Sequence, residues 1–118
     1  MIKSLYMREP VRDRERLEHM LAAINVVIES REKYTFEQVV ADPIIYFGFV
    51  KHVEIIGEAC YKLSPEFREN HNEVDWDAIE GMRHVLVHGY YQISQEQLWD
   101  TIINDIPVLK PFIENYLK

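Results

Sequence analysis

Apolar residues recur at helical spacing along almost the whole chain, and this pattern limits the possible folds more than any other feature. The first apolar stripe consists of Leu17, Leu21, Ile24 and Ile28. Because these residues are three or four positions apart, they share one face of a helix that we expect to run from about Val11 to Arg31. Sustained alternation of apolar and polar residues, which is typical of strands, does not occur in the sequence. The sequence therefore predicts an all-α domain.

Capping residues divide the apolar pattern into separate helices. Thr35 and Gln38 form a capping-box pattern that predicts the start of a short helix. Asp42 and Pro43 end this short helix, and Pro43 is also suited to begin the next one. We expect this next helix to reach about Leu63 and, because it is apolar on more than one face, to be the central helix of the domain.

The second half of the chain carries three further start signals. Ser64 before Pro65 predicts a short helix that reaches about His71. Asp75 can cap a helix that ends near His88, where Gly89 supplies a flexible stop.

The third start signal is another capping-box pattern, made by Ser94 and Gln97. It opens a last helical region that Pro107 kinks or splits before Lys118. The predicted architecture is an up-and-down bundle of four to five main helices.

Size and composition indicate one packed domain. The chain has 118 residues, of which 47% are hydrophobic and 28% charged, so we treat residues 1–118 as a single domain in which residues 1–10 are less ordered. The apolar stretch Pro43–Val50 is far shorter than the roughly 18 residues that a membrane span needs, so no membrane role is expected. The single cysteine, Cys60, excludes an intrachain disulfide and favours a reducing compartment, with the cytoplasm as the expected location.

The charge of the chain argues against broad electrostatic affinity for nucleic acid. The formal net charge is -7, and Arg68 and Arg83 are the only Lys or Arg residues between Ser64 and Asp105. A phosphate backbone would be repelled by such a surface. Any contact with nucleic acid must therefore be local, and basic residues near the amino terminus such as Arg12, Arg14 and Arg16 are candidates to supply compensating charge.

The richest polar cluster follows Gly81. It contains Arg83, His84, His88 and Tyr90 at the end of an otherwise apolar helix. An arginine and a histidine suit cleavage of an RNA phosphodiester by its own 2′-hydroxyl, because imidazole moves the proton and guanidinium holds the phosphoryl oxygens. This chemistry needs no metal or other cofactor. Surface charge combined with an aromatic helix cap is the alternative interpretation.

One ideal helix does not bring the arginine and the histidine together. At 100° per residue Arg83 and His88 lie about 140° apart, whereas Arg83 and Tyr90 nearly eclipse. The side chain of Arg83 can curl around the helix, Gly89 can distort the helix end, or two copies of the chain can meet. The meeting of two copies is the most economical of these routes.

The histidine pair and the single cysteine are interpreted as structural residues and not as a metal site or a nucleophile. His84 and His88 are spaced as two metal ligands on one helical face would be, but no third ligand is evident, so solvated histidines are preferred. Cys60 lacks a base at helical spacing and lies in an apolar segment, so a buried inert thiol is expected.

Two other groups of side chains are also assigned to structure. Glu54 and Glu58 resemble a paired-carboxylate site. Lys51 and Lys62 lie one helical turn away, however, so ion pairs on the helix surface are the preferred interpretation. Four large aromatic residues fall at core spacings and are assigned to packing: Phe47, Trp76, Trp99 and Phe112.

The order of motifs resembles that of the HepT-like toxins within the HEPN superfamily. Arg83-x4-His88-x-Tyr90 matches the RX4HXY motif of that family, and Val53–Ala59, Leu63–Glu66, Trp76 and Gly81–Arg83 precede it in the usual order. The resemblance extends over about Val11–Leu117. It implies a HEPN-like helical homodimer in which two Arg/His pairs meet in a cleft and cut RNA without a metal.

The resemblance also implies roles for individual residues and for a partner. Arg83 would stabilise the phosphoryl group, and His88 would act in proton transfer or orientation. The chain would be the toxin of a toxin–antitoxin pair of type II or VII, and its antitoxin, a minimal nucleotidyltransferase, would transfer AMP to Tyr90. Added bulk and negative charge beside the phosphate site would block RNA.

Two positions depart from the family pattern. His84 stands where Asn is common, which leaves an auxiliary role in the cleft open for this side chain, and Lys51 stands where many relatives carry Arg. Lysine lacks the bidentate fork of arginine, so phosphate contact at that position would be weaker. A noncatalytic helical partner of a nucleotidyltransferase is the alternative function, and a structural interaction module is a third.

Overall fold

The structure, a computed structural model, describes residues 12–88 and 94–118, except for the side chains of residues 12, 87 and 88. Within these residues every regular element is helical, so the all-α prediction is confirmed. The elements are α1 (Arg12–Arg31), α2 (Phe36–Ala41), α3 (Pro43–Tyr61), α4 (Pro65–Asn70), α5 (Trp76–His88), α6 (Gln95–Asp100), a π-helical segment (Thr101–Asp105) and α7 (Ile106–Tyr116).

Local hydrogen bonds explain where the first helices begin. Thr35 Oγ1 accepts from the amide of Gln38 at 3.2 Å, and the Gln38 side chain accepts from the amide of Thr35 at 2.9 Å. The predicted capping box of α2 is therefore confirmed. Asp42 Oδ1 accepts from the amide of Ile44 at 2.9 Å, and Pro43 is the first residue of α3.

The later helices begin at the predicted caps. Ser64 Oγ accepts from the amide of Phe67 at 3.2 Å and caps α4. Asp75 Oδ1 accepts from the amide of Ala78 at 3.1 Å at the start of α5, and Ser94 Oγ accepts from the amide of Gln97 at 3.2 Å at the start of α6. Each cap satisfies a backbone N–H that has no partner inside its helix.

The central position predicted for α3 is confirmed. It packs against α1 on one side and α5 on the other, while α7 packs against α1. The fully buried side chains form one core to which α1, α2, α3, the π-helical segment and α7 contribute: Met20, Ile24, Val27, Val39, Val53, Ile56, Cys60, Ile102 and Ile113. The helix α3 contributes buried residues from Phe49 to Cys60, and its contacts with α5 position that helix.

The predicted break near Pro107 is confirmed, and it takes the form of a π-helical segment. Proline has no N–H, so Pro107 brings no donor to the carbonyl of Ile103, four residues earlier. The amide of Ile106 bonds to the carbonyl of Thr101, five residues back, and the guanidinium of Arg31 donates to the Ile103 carbonyl at 3.2 Å. The last residue of α1 thereby satisfies a carbonyl near the break.

One predicted core residue is exposed. The expectation that Phe47 packs in the core is wrong, because 52% of its surface is accessible, and Ile44 on the same face of α3 is 85% accessible. Neither α1, α2 nor α5 covers this face of the amino-terminal half of α3. The other three aromatic predictions hold, since Trp76 is buried and Trp99 and Phe112 pack against the core. No helix among the described residues combines the length and apolar character needed to cross a membrane.

Candidate active site at the crossing of α3 and α5

The polar cluster singled out in the sequence lies on α5, whose apolar face fixes its orientation. Leu86 is buried, and Ile79 and Met82 pack against the core, as their helical spacing predicts. Arg83 lies at the border of this stripe and is half-buried, whereas His84 is exposed. The helix therefore presents Arg83 to α3 and His84 to the solvent side.

The two helices cross closely at Gly57. A side-chain carbon built on Gly57 would overlap Cβ of Arg83 and would lie 3.1 Å from Cα and 3.2 Å from Cγ of that residue. No side chain other than the hydrogen of glycine fits in this space. The close approach places the base of the Arg83 side chain directly on α3.

The guanidinium of Arg83 is held by side chains from the next turn of α3. Its Nε donates to Oε2 of Glu58 at 2.6 Å, and its Cζ lies 4.7 Å from the centre of the Tyr61 ring. The second oxygen of Glu58, Oε1, lies 3.4 Å from Nζ of Lys62. Arg83, Glu58, Tyr61 and Lys62 thus form one cluster, which we call the α3–α5 cluster, and 21% of the Arg83 side chain remains accessible.

The charges of this cluster act on Glu58. Partial burial by itself raises the pKa of the Glu58 carboxyl, but hydrogen bonds and charge from Arg83 and then Lys62 outweigh it and hold the pKa below its ordinary value. The carboxylate is therefore ionised at neutral pH. Its negative charge is shared between two cations, which leaves the cluster with a net positive charge.

The predicted ion pairs on α3 are confirmed, but sequence reasoning missed one partner. Lys51 lies 3.5 Å from Glu54 and Lys62 lies 3.4 Å from Glu58, as their helical spacing indicates. The bond between Glu58 and Arg83 joins residues 25 positions apart in the chain. A glycine one residue before Glu58, which permits a close crossing of helices, is the sequence signal that would have suggested a contact with another helix.

The structure describes the other predicted site residues only in part. His88 is the last residue of α5, so α5 is one continuous helix through both Arg83 and His88. The His88 side chain and all of Tyr90 lie outside the described residues, as does Gly89. Because the helix is continuous, the backbone positions of Arg83 and His88 are about 140° apart around its axis.

Cys60 is confirmed as a buried, inert thiol. Its side chain is fully buried and its Sγ donates to the carbonyl of Trp76 at 3.3 Å. Burial raises the pKa of the Cys60 thiol to about 12, so the nucleophilic thiolate is scarce at neutral pH. In residues 12–88 and 94–118 no three His, Cys, Asp or Glu side chains are grouped in a way that would hold a metal ion.

A separate apolar groove lies between α5 and α7. It has a volume of about 530 Å³, and its floor includes Ile56, Ile106 and Leu109. Two exposed valines, Val85 on α5 and Val108 on α7, stand at its edges. The described residues that line the groove include no arginine or histidine, so they do not offer the chemistry of the α3–α5 cluster.

Comparison with known proteins gives one consistent family. The model of the family described as "Ribonuclease HepT-like" matches residues 20–116. "Putative RNase TTE0752" of Caldanaerobacter subterraneus subsp. tengcongensis is 40% identical over 86% of this chain and 91% of its own length. "Probable ribonuclease HepT" of Thermococcus cleftensis is 33% identical over 86% of this chain and 93% of its own length. No solved structure matches the chain significantly.

Proposed function

Because the chain belongs to the HepT-like ribonuclease family of the HEPN superfamily, we propose that it is a toxin that cuts RNA with Arg83 and His88. The observation that carries this proposal is the anchoring of Arg83. Its Nε is bonded to Glu58, and among the described residues no acceptor is hydrogen-bonded to either of its Nη atoms. A guanidinium held in this way is suited to bind two phosphoryl oxygens at once.

The proposed reaction is a transesterification within the RNA. The 2′-hydroxyl oxygen attacks the neighbouring phosphorus, and the bond from phosphorus to the 5′-oxygen breaks. His88 moves the proton, from the 2′-hydroxyl or to the departing 5′-oxygen, while Arg83 stabilises the negative charge on the phosphoryl oxygens. The products are a 2′,3′-cyclic phosphate and a 5′-hydroxyl, and no metal takes part.

Cleavage of RNA by the purified chain tests this assignment. We expect cyclic-phosphate ends, and we expect Arg83→Ala and His88→Ala each to lower the rate by about 100-fold or more. Arg68→Ala is the matched control, because Arg68 also pairs with a glutamate across two helices, at 2.8 Å from Glu80, but lies outside the cluster. Wild-type cleavage by both Arg83→Ala and His88→Ala would contradict the proposed site.

His84 has an auxiliary place in this proposal. It is exposed on α5 next to Arg83 and replaces the asparagine that is common at this position in the family. We expect His84→Asn to retain cleavage within a few-fold, because either side chain can donate a hydrogen bond into a cleft. A loss as large as that of His88→Ala would make His84 a second catalytic residue.

We further propose that two copies of the chain form the active cleft. The exposed face of α3 joins apolar Ile44 and Phe47 to the α3–α5 cluster, because positions 44, 47, 51, 54 and 58 share one side of the helix. A second copy on this face would cover both apolar side chains and bring two Arg83 residues together. Burial of two such side chains favours association by several kcal/mol, in the range of about 1.5–3 kcal/mol for each.

Sedimentation distinguishes this interface from the rest of the surface. We expect a dimer at micromolar concentration, and we expect Phe47→Glu to give monomers that cut RNA poorly. Val108→Glu is the control, since Val108 is 63% exposed but lies on α7, away from this face. A wild-type monomer with full activity would exclude the two-copy cleft.

The partner in this proposal is a minimal nucleotidyltransferase that transfers AMP to Tyr90. The family resemblance supports it, since Tyr90 stands at the tyrosine position of the RX4HXY motif. AMP on this residue would place a phosphate and a nucleoside beside the guanidinium and exclude RNA. Peptide mass spectrometry after coexpression tests it: Tyr90→Phe should lose the modification and Tyr91→Phe should keep it, and AMP found solely on other residues would refute it.

The alternative, a noncatalytic helical partner of a nucleotidyltransferase, is favoured by the apolar groove between α5 and α7. Such a groove can take a partner helix whether or not the chain cuts RNA. Val85→Glu and Val108→Glu would then weaken the complex with the nucleotidyltransferase. Growth arrest when the chain is expressed alone favours the ribonuclease, and normal growth together with a stable complex favours the alternative.

A further inference from the structure

Glu58 is an unexpected residue beside a phosphate-binding arginine. Its carboxylate contacts Arg83 Nε directly at 2.6 Å, so it repels any phosphate that the same guanidinium binds. A negative charge in this position has either a positioning role or an inhibitory role. The two roles predict opposite effects when the charge is removed.

The geometry around Arg83 favours a positioning role. Gly57 lets the base of the side chain rest on α3, Tyr61 covers one face of the guanidinium at 4.7 Å, and Glu58 bonds to its Nε. A planar group that is fixed at its base, on its face and at one nitrogen has little freedom to rotate. The remaining edge, which carries both Nη atoms, is therefore held in one direction.

The bonding pattern of Glu58 is also the one that positioning requires. A carboxylate that blocked the outer edge of Arg83 would bond to both Nη atoms in a bidentate pair. Glu58 instead uses Oε2 for Nε and Oε1 for Lys62 at 3.4 Å. The phosphate-binding edge of Arg83 is thus left without an acceptor from Glu58, and Lys62 offsets the charge of the carboxylate.

We infer that Glu58, together with Tyr61, is a positioning residue that aims the Nη edge of Arg83 at the phosphoryl oxygens of RNA. This inference rests on the proposed function, in which Arg83 binds the phosphoryl group. Glu58 touches no reacting atom and acts through Arg83. Its effect belongs mainly to the transition state, because misplacement of a catalytic group by about 1 Å can cost roughly 100-fold in rate.

The first experiment measures RNA cleavage by Glu58 variants. We expect kcat to decrease by about 10- to 100-fold in Glu58→Ala and less in Glu58→Gln, which keeps an acceptor oxygen for Nε. We expect KM for a short RNA to change by less than about three-fold, since removal of the negative charge offsets weaker binding. Glu80→Gln is the matched control, because Glu80 also pairs with an arginine across two helices, at 2.8 Å from Arg68, but lies outside the α3–α5 cluster.

Tyr61 is tested by a pair of variants. Tyr61→Phe keeps an aromatic face under the guanidinium and should retain at least a third of kcat. Tyr61→Leu removes that face and should lose about 10-fold, because the cation–π contact restrains the plane of Arg83. Both variants keep a large apolar side chain at position 61. We expect them to fold, because Tyr61 is 49% exposed and lies outside the core.

A second readout does not depend on activity. In ¹⁵N-labelled protein the Nε–H signal of Arg83, assigned by its loss in Arg83→Ala, should exchange slowly with solvent in the wild type. Glu58→Ala should make it exchange fast, and Glu80→Gln should leave it unchanged. If Glu58→Ala is too unstable to study, Glu58→Gln and Tyr61→Leu give the same comparison.

The outcomes separate this inference from the proposed function. Full cleavage by Arg83→Ala overturns the proposed function and, with it, the role of Glu58. Loss of cleavage in Arg83→Ala together with wild-type or higher kcat in Glu58→Ala leaves the proposed function standing and overturns positioning. An increase in kcat would identify Glu58 as inhibitory.

Discussion

Gly57 on α3 lies against the backbone of Arg83 on α5, so closely that a methyl group on Gly57 would lie 3.1 Å from the Arg83 Cα. The neighbour is a backbone atom and the root of a side chain, which cannot move aside as the end of a flexible side chain can. The distance between α3 and α5 is therefore set by the absence of a side chain at one position. The same approach brings Glu58 and Tyr61 within reach of the guanidinium.

Gly57→Ala is expected to destabilise the fold by about 1–3 kcal/mol, because overpacking forces the two helices apart. Cleavage of RNA should fall as well, since Arg83 moves away from Glu58. The control is Gly48→Ala on the same helix, where nothing lies within 4 Å and alanine should stabilise by up to about 1 kcal/mol. Urea unfolding measures both variants, and equal stability for the two would contradict the close crossing.

The stability contributed by the Glu58–Arg83 pair should depend on pH. The pKa of Glu58 is lower in the fold than in the unfolded chain, so its contribution is present above the ordinary value of 4.5 and is lost as the pH falls below it. Glu58 is 38% accessible, and solvent screening limits the contribution to about 0.2–1 kcal/mol. The free energies of unfolding of wild type and Glu58→Gln should differ at pH 7 and converge as the pH falls below the lowered pKa of Glu58. A difference that stays constant across this range would disprove the linkage.

Ser64 should matter more to stability than the other serine cap. Its Oγ accepts from the amide of Phe67 and donates to Asp13 Oδ2 on α1 at 2.6 Å, so it joins two helices. Ser94 caps α6 with the same geometry, but its second partner is the nearby Glu96 at 3.2 Å. We expect Ser64→Ala to cost about 2 kcal/mol and Ser94→Ala about 1 kcal/mol in thermal or urea unfolding. Equal losses would indicate that the bond to Asp13 contributes nothing.

Arg31 should stabilise the π-helical break. Arg31→Ala removes the donor to the Ile103 carbonyl and should cost about 1–2 kcal/mol, because that carbonyl gets no N–H from Pro107. Arg14→Ala is the control, since Arg14 also donates to a carbonyl, that of Leu117 at 3.1 Å, but in an exposed position. Its effect should stay within about 0.5 kcal/mol.

A double-mutant cycle tests the cause of this effect. Pro107→Ala restores an N–H that can reach the Ile103 carbonyl inside the helix, so Arg31→Ala should cost less in that background. Additive losses in the cycle would mean that Arg31 acts through some other contact.

The sequence by itself determined the helical class, the starts of the helices and the motif residues. The capping box of Thr35, the caps at Ser64 and Ser94 and the break near Pro107 all depend on hydrogen bonds between residues a few positions apart. Such bonds are encoded locally and can be read from spacing. For the same reason the apolar stripe of α5 was predicted correctly.

Only the tertiary structure decided which helix faces meet and which remain open. The bond between Glu58 and Arg83 spans 25 positions, and Phe47 is exposed because none of the helices in residues 12–88 and 94–118 covers that side of α3. Helical periodicity tells which residues share a face, but it does not tell what packs against that face. That outcome is settled by the packing of all helices around one core, where a single glycine, Gly57, determines how closely two of them approach.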